Sequence, residues 1–366
     1  MYIYQRNGWP EFEWNNDFLL PLLSTVRHRQ GRLLGQMENL GFPLRSEAIL
    51  QTLTLDVLKS NEIEGDILDR EQVRSSIARR LGIETGGLIP SDRQVDGVVE
   101  VLLDATQNYE RKITAERLFG WHAAMFPGGR SGLHKITIGE WRNSDAGPMQ
   151  VVSGPMGKET VHFEAPDASA VGKEMQYFIN WFNTVSDIDP VLKAGVAHFW
   201  FVTIHPFDDG NGRIARTIAD MQLARADQTS QRFYSMSVQI RKEKARYYSI
   251  LEKTQKGDLD ITDWLVWFLN CLDRSLTISE ETLSAIISKA RFWQLIGKNE
   301  INSRQELMLN KLLDGFDGKL TTTKWAWITK SSQDTALRDI QQLIEQEILI
   351  KETSGGRSTS YALKGL

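Results

Sequence analysis

From Ser169 to about Lys289 apolar residues recur at spacings of three and four, the pattern of helices with one buried face, and the pattern is broken at His205-Pro206-Phe207-Asp208-Asp209-Gly210-Asn211-Gly212. No continuous helix tolerates one proline and two glycines in eight residues, so one helix must stop and another start here. The break follows the apolar run GVAHFWFVTI and precedes RIARTIADMQLARA, which puts its glycines at a helix N-terminus. Gly210 and Gly212 permit the backbone to turn its N–H groups inward, and the helix end adds partial positive charge; together they make an anion site. Arg213 and Arg216 share one face of the first turn, where a cation is disfavoured by roughly 0.3–1 kcal/mol, so they require a bound anion, and phosphate is the obvious one. Asp208 and Asp209 beside a polyphosphate in turn require a hard cation such as Mg²⁺, and Asn211 can donate to a phosphate oxygen. His205 can take a proton from an attacking hydroxyl at neutral pH and return it to solvent. A general base next to a phosphate nest implies phosphoryl or nucleotidyl transfer.

Other chemistries fit less well. GNGRIA has the G-x-G-x-x-A form of a dinucleotide loop, yet HPFDD stands between it and the apolar run, and repeated βαβ units are missing. His198, His205, Asp208 and Asp209 could ligate zinc, but they form no HExxH or CxxC pattern. With 41% hydrophobic and 25% charged residues over 366 positions, the chain reads as an ordinary globular protein of two or three domains. A net charge of -4 gives no general attraction to nucleic acid or acidic membranes. The single cysteine, Cys271, lies in an apolar run and forms no intrachain disulfide, which suits a reducing cytoplasm. The opening residues lack the layout of a signal peptide, and the longest apolar stretch is shorter than the ~20 residues of a membrane span, so no membrane partner is expected.

The expected fold is mainly α. Leu50, Leu53 and Val57 mark a helix that stops at Gly65, and Asp69 with Gln72 reads as a capping box opening a helix that ends at Gly82. Between about Ser131 and Pro166 three β-prone pieces, KITIGEW, MQVVSG and TVHFEAP, suggest a hairpin or flap. After about Asn299, three helices and two β-prone runs around a Gly-Gly turn suggest a winged helix.

His205, Pro206, Phe207, Asp209, Gly210, Asn211, Gly212, Arg213 and Arg216 meet every fixed position of HPFx(D/E)GN(G/K)RxxR, and in this the chain closely resembles the Fic family. The resemblance implies a Fic-type helical core over 111–290 with a flap at about 138–166, an N-terminal helical region over 1–110, and a C-terminal winged helix over 299–366. It implies His205 as base, Asp209 as Mg²⁺ ligand, Gly210, Asn211 and Gly212 as phosphate nest, and Arg213 with Arg216 as polyphosphate contacts. Asp208 fills the variable position and receives no role. The two glycines resemble the branch that transfers AMP from ATP to a protein hydroxyl, making the chain a protein adenylyltransferase with ATP and Mg²⁺ as cofactors. Val151 and Val152 in MQVVSG match the flap that docks the target by strand pairing. Tyr247, Tyr248 and Gln255 stand where relatives contact adenosine, although two core tyrosines on a helix are an equal reading of that pair.

Ser60 to Gly65, SNEIEG, match the (S/T)xxxE(G/N) motif that relatives use as an inhibitory helix, here at about 50–65. Glu64 precedes a helix-stopping glycine, where the helix dipole disfavours a carboxylate, so a compensating partner is expected. The resemblance makes that partner Arg216, with Ser60 one turn earlier fixing the helix end, and the chain is then restrained until the helix shifts. The target protein is not legible, and self-modification on Tyr, Ser or Thr is a further expectation. The rival class is a DNA-binding regulator with the Fic core as sensor or relic. Its would-be recognition helix, SSQDTALRDIQQLIE, holds Arg338 against Asp334, Asp339 and Glu345, which disfavours phosphate contacts; Lys351, Arg357 and Lys364 remain near the wing. Target recognition or a homodimer contact is favoured over DNA. Trp325 and Trp327 read as small-domain core or as a contact patch.

Overall fold

The computed structural model describes residues 1–38, 41–84, 86–144, 147–154, 158, 160–297, 301–313, 316, 318–352 and 359–364. The chain is mainly α and divides into two compact units, Met1–Glu280 and Glu281–Leu366. In the first, a 3₁₀ turn (Ile3–Gln5) is followed by α1 (Asn16–Glu38), α2 (Phe42–Glu64), α3 (Arg70–Leu81), α4 (Arg93–Gln107) and α5 (Ala115–Met125). Two small antiparallel pairs come next, β1 (Arg130–Ser131) with β2 (His134–Lys135), then β3 (Gln150–Ser153) with β4 (Thr160–Glu164). Helices α6 (Ala168–Asn183), α7 (Pro190–Ile204), α8 (Asn211–Asp227), α9 (Met236–Lys242) and α10 (Lys244–Gln255) follow, and α11 spans Thr262–Ile296.

Helix α7 is the axis of the first unit. Every residue from Val191 to Ile204 is buried, Asp189 caps its first turn by accepting from the Val191 N–H at 2.7 Å, and Pro190 occupies the first helical position. Burial on all sides explains why this run shows no amphipathic face. Helix α8 packs along it, and α2 packs against α3, α8 and α9. The capping box at Asp69 is half made. Its carboxylate accepts from the Gln72 N–H at 2.8 Å, but the Gln72 side chain accepts from the Asp92 N–H at 2.9 Å and so ties the start of α3 to that of α4.

The flap differs from expectation in one piece. MQVVSG and TVHFEAP supply β3 and β4, whereas KITIGEW is not a strand beyond Lys135. Its backbone serves the loop instead: the Thr137 N–H donates to Asp208 Oδ2 at 2.8 Å and the Arg142 N–H to the Pro206 carbonyl at 2.9 Å.

In the second unit α12 (Ser303–Leu313), α13 (Thr322–Ile328) and α14 (Gln333–Glu345) precede the antiparallel pair β5 (Leu349–Lys351) and β6 (Tyr361–Leu363). Met308, Leu309, Trp325, Ile340 and Leu343 form its core. Trp325 is core and Trp327 is exposed, so the two tryptophans divide between the two readings. Asp339 is not a surface acid: it is buried and takes both Nε and Nη2 of Arg304 at 2.8 and 2.9 Å. Arg357 and the Gly-Gly turn lie outside the described residues. Among the described residues no helix is long and apolar enough to cross a membrane.

Candidate active site

His205 terminates α7 in the left-handed conformation, φ 51°, with its N–H bonded to the Phe201 carbonyl at 3.0 Å. A non-glycine residue held there stores roughly 1–2 kcal/mol of strain, which the surroundings must overcome. They do so through Arg142, buried, whose Nε donates to the His205 carbonyl at 2.8 Å and whose Nη2 donates to that of Pro166. The His205 Nδ1 lies 3.1 Å from the Val202 carbonyl, an acceptor only, so Nδ1 carries the hydrogen and Nε2 of the neutral ring is left as a proton acceptor. Burial lowers its pKa below the ordinary histidine value, more than the Val202 hydrogen bond raises it. At neutral pH His205 is therefore a neutral base.

The next residues form a rigid turn. Phe207 is buried and its ring stacks on His122 at 4.2 Å. Asn211 uses its whole amide on Phe207, donating from Nδ2 to the carbonyl at 2.7 Å and accepting from the N–H at 2.9 Å. That side chain is thus the clamp of the turn, and what Asn211 turns toward an anion is backbone. Gly210, φ 79°, is the residue before α8 and gives that helix no side-chain cap. The first N–H groups of α8 remain available to an anion. Asp209 stands at the mouth, its carboxylate accepting from Ser131 Oγ and, at 2.5 Å, from the Gly210 N–H.

An acidic side chain already approaches this nest. Glu64 ends α2, and Gly65 behind it has φ 100°. Its carboxylate takes Arg216 Nη2 at 2.7 Å, while Ser60 accepts Arg216 Nε on Oγ at 3.0 Å and Nη2 on its carbonyl at 2.9 Å. A Cβ on Gly212 would stand 2.3 Å from Glu64 Oε1, so only glycine admits the carboxylate over the start of α8. Here the C-terminal end of α2 meets the N-terminal end of α8, and Arg216 with that second dipole compensates the carboxylate at the end of α2. Arg213, buried as well, is held by two residues to which the motifs give no role, Nη1 donating to Asp66 Oδ2 at 2.7 Å and to Asn61 Oδ1 at 3.4 Å, and its Nη2 lies 3.7 Å from Asp209 Oδ1.

The sequence profile of the Fic/DOC family matches residues 112–223, which run from before α5 into α8 and include the whole turn. Residues 112–223 form a Fic/DOC-family domain. A second profile, described as a domain of unknown function (DUF4172), matches residues 2–83 and so contains α2 with Ser60 and Glu64. The protein adenylyltransferase Fic of Drosophila erecta is 25% identical over 220 residues, 59% of this chain and 39% of that protein. The chain thus spans about two fifths of the length of that curated relative. The crystal structure of a Fic family protein from Desulfovibrio desulfuricans superposes with a TM-score of 0.55 at 19% identity, covering 95% of this chain and 96% of that one. A Fic-domain signalling protein from Bacteroides thetaiotaomicron gives 0.50 at 20% identity, over 73% and 97%. These two likenesses establish the fold.

The Fic domain opens into a cavity of about 760 Å³ with α2, α10 and the β3–β4 flap for its other walls. His205, Asp209, Gly210, Asn211, Gly212 and Glu64 line it, as do Val151 and Val152 on the flap. Tyr247, Tyr248 and Gln255 reach it from α10. Tyr247 is at the same time core, buried, with its hydroxyl 2.9 Å from His198 Nε2. Tyr248 is half-buried and points its hydroxyl at Glu64 Oε2, 3.4 Å away, and Gln255 donates to Thr203 Oγ1 at 3.3 Å. Arg213 and Arg216 lie behind the lining, turned to α2. Arg142, His122, Asn61 and Asp66 are the site residues that sequence reasoning missed, and Asp208, left without a role there, accepts the Thr137 N–H. Asp208 lies inside the loop, and Asn61 and Asp66 lie within and just after SNEIEG, at positions to which neither motif gives a role; Arg142 and His122 have no motif around them.

Proposed function

We propose that the chain is a protein adenylyltransferase that moves AMP from ATP to a hydroxyl of a target protein, and that Glu64 restrains it. The observation that carries this reading is the Glu64 carboxylate seated over Gly212 and bonded to Arg216, an anion in the place the loop chemistry reserves for a phosphate. Arg216 Nη1 is buried without a hydrogen-bond partner among the described residues, which also fits a larger anion than one carboxylate. The name that relatives carry, protein adenylyltransferase, agrees with the chemistry.

In this reading the triphosphate lies along the N-terminus of α8, with Gly210 and Gly212 letting its oxygens approach the backbone. Asp209, whose side chain is 39% exposed in the cavity lining, fits a metal: Mg²⁺ needs only one or two carboxylates when phosphates and water complete its shell. Bound there, Mg²⁺ would neutralise polyphosphate charge. His205 Nε2 takes the proton of the target hydroxyl as its oxygen attacks the α-phosphorus, and pyrophosphate departs. Arg142 and the Val202 carbonyl keep that ring in the required tautomer and place. Val151 and Val152 lie on an edge of a two-stranded sheet and offer backbone groups to an added strand of the target. Arg216 can take the γ-phosphate only after Glu64 lets go, so α2 must shift before turnover.

The test is transfer of label from α-labelled ATP with Mg²⁺ to proteins of a cell lysate. Glu64→Gly is expected to label them at least ~10-fold faster than the unaltered chain, and adding His205→Ala to lose roughly 100-fold or more of that rate. Label arriving from the γ-position would make the chain a kinase, and no transfer in any form would overturn the reading.

A further inference from the structure

The flap carries a second constellation that the loop chemistry does not use. Ser153 Oγ lies 2.6 Å from His162 Nε2, and His162 Nδ1 lies 2.8 Å from Glu252 Oε2 on α10. A carboxylate only accepts, so Nδ1 carries the hydrogen, and in the neutral ring Nε2 then accepts the Ser153 hydroxyl proton. This is the order of a nucleophile, its base and the group that orients the base. The Glu252 carboxylate is itself fixed by Lys256, 2.5 Å from its other oxygen.

Strand register explains how His162 comes to stand there. Val151 pairs with Phe163 and Val152 with Val161, so His162 is the extra residue of a β-bulge. The bulge takes its ring out of the alternation that buries Phe163 and aims it at Ser153 and Glu252. A clamp of the flap onto α10 needs the His162–Glu252 pair alone; the exposed Ser153 hydroxyl adds little to such a clamp, since water would satisfy it equally. Ser153, His162 and Glu252 line the same cavity as His205 and the glycines of the anion nest. An activated hydroxyl and a site for a nucleoside triphosphate thus share one chamber.

We propose that Ser153 is an acceptor of AMP from the chain's own active site, with His162 as its base. The proposal rests on the adenylyl-transfer reading above and specifies an acceptor for it. The Ser153 Oγ–phosphorus bond forms at the α-phosphorus as the bond from that phosphorus to the pyrophosphate oxygen breaks. The hydroxyl proton passes to His162 Nε2 and on to water, and pyrophosphate leaves with the bonding electron pair. The product, an adenosine phosphodiester on β3, lies next to Val151 and Val152 and covers the edge to which a target would pair, so self-modification closes the flap to targets.

The full-length chain carrying Glu64→Gly is incubated with α-labelled ATP and Mg²⁺, and labelled peptides are mapped by mass spectrometry. Label is expected on Ser153 at a per-chain rate independent of chain concentration. Ser153→Ala should lose it, and His162→Gln should slow it roughly 100-fold. Label on lysate proteins or on other residues but never on Ser153 overturns the proposal and leaves the enzyme reading standing. Ser153 labelling that ignores His162, or that rises with chain concentration, overturns the relay in cis. No label on the chain or on any lysate protein overturns both readings together.

Discussion

Arg213 and Arg216 both follow from the loop motif, yet they meet different partners. Arg216 faces the end of α2 itself, through Ser60 and Glu64, whereas Arg213 faces Asp66, just beyond the helix, and stacks on Phe126 with its guanidinium 5.0 Å from the ring centre. Arg213 is 4% exposed and the Asp66 side chain 45%, so the pair joins a dry cation to a wet anion. Its worth lies between that of a surface pair and that of a buried one. Asp66→Asn is expected to lower stability by about 1 kcal/mol, read as a fall in urea midpoint at constant slope, and, on the proposed adenylyltransferase reading, to raise basal AMP transfer because α2 loses a tether to α8. An unchanged midpoint and unchanged transfer would mean the pair holds nothing. The Glu64–Arg216 contact was legible because a short motif stands at each end of it. Asp66 and Asn61 were not, because their bonds to Arg213 join residues 147 and 152 apart and depend on how α2 docks, which no local pattern encodes.

Among elements, α2 is the one whose end, under the proposed restraint, decides the state of the site. Its C-terminus is a Schellman turn: the Asp66 N–H returns to the Asn61 carbonyl at 3.1 Å and the Gly65 N–H to that of Glu62 at 3.2 Å, around Gly65 at φ 100°. A Cβ at Gly65 would meet nothing within 4 Å, so Gly65→Ala adds backbone strain of about 1 kcal/mol and no clash. If that strain is relieved when the turn opens, the released population rises about 5-fold, and labelling should rise with it while activity of the Glu64→Gly chain stays unaffected by the second change. Equal labelling with and without Gly65→Ala would show that α2 leaves as a rigid helix with its cap intact. Helical elements are readable because burial imposes a period on them; α7 lies inside the Ser169–Lys289 stretch read as helical but, buried on every side, carries no amphipathic face of its own. The flap was half readable. KITIGEW alternates as a strand does, but its N–H groups at Thr137 and Arg142 go to Asp208 and Pro206, so a β-like pattern records an extended segment laid along the loop.

Across the Met1–Glu280 unit, buried histidines set the response to acid. His122 is fully buried, with Nε2 3.2 Å from the Asp209 carbonyl and Nδ1 without a partner among the described residues, and burial lowers its pKa to about 4. His198 bonds to Tyr247, and burial with the nearby charge of Arg216 lowers it to about 3. Both are neutral when folded, while the unfolded chain protonates them near pH 6.5, so below that pH the unfolded state binds more protons and stability falls. Between pH 7 and pH 5 each should remove about 2 kcal/mol. The lowered carboxylates, Asp96, Asp104, Glu116, Asp167, Glu243 and Glu252, titrate below this window in the folded chain. Asp220 works in the opposite sense: burial and the neighbouring Asp56 raise it, so its contribution is lost as pH rises. The measurement is therefore a difference, unfolding free energy at pH 7 minus that at pH 5, taken on the full chain and on His122→Gln by urea titration. The difference should shrink by about 2 kcal/mol in the variant, whose side-chain amide can still donate to the Asp209 carbonyl. If it does not shrink, His122 takes up its proton inside the folded protein, and the Phe207 stack beneath the His205–Asn211 turn yields to solvent more easily than its burial implies.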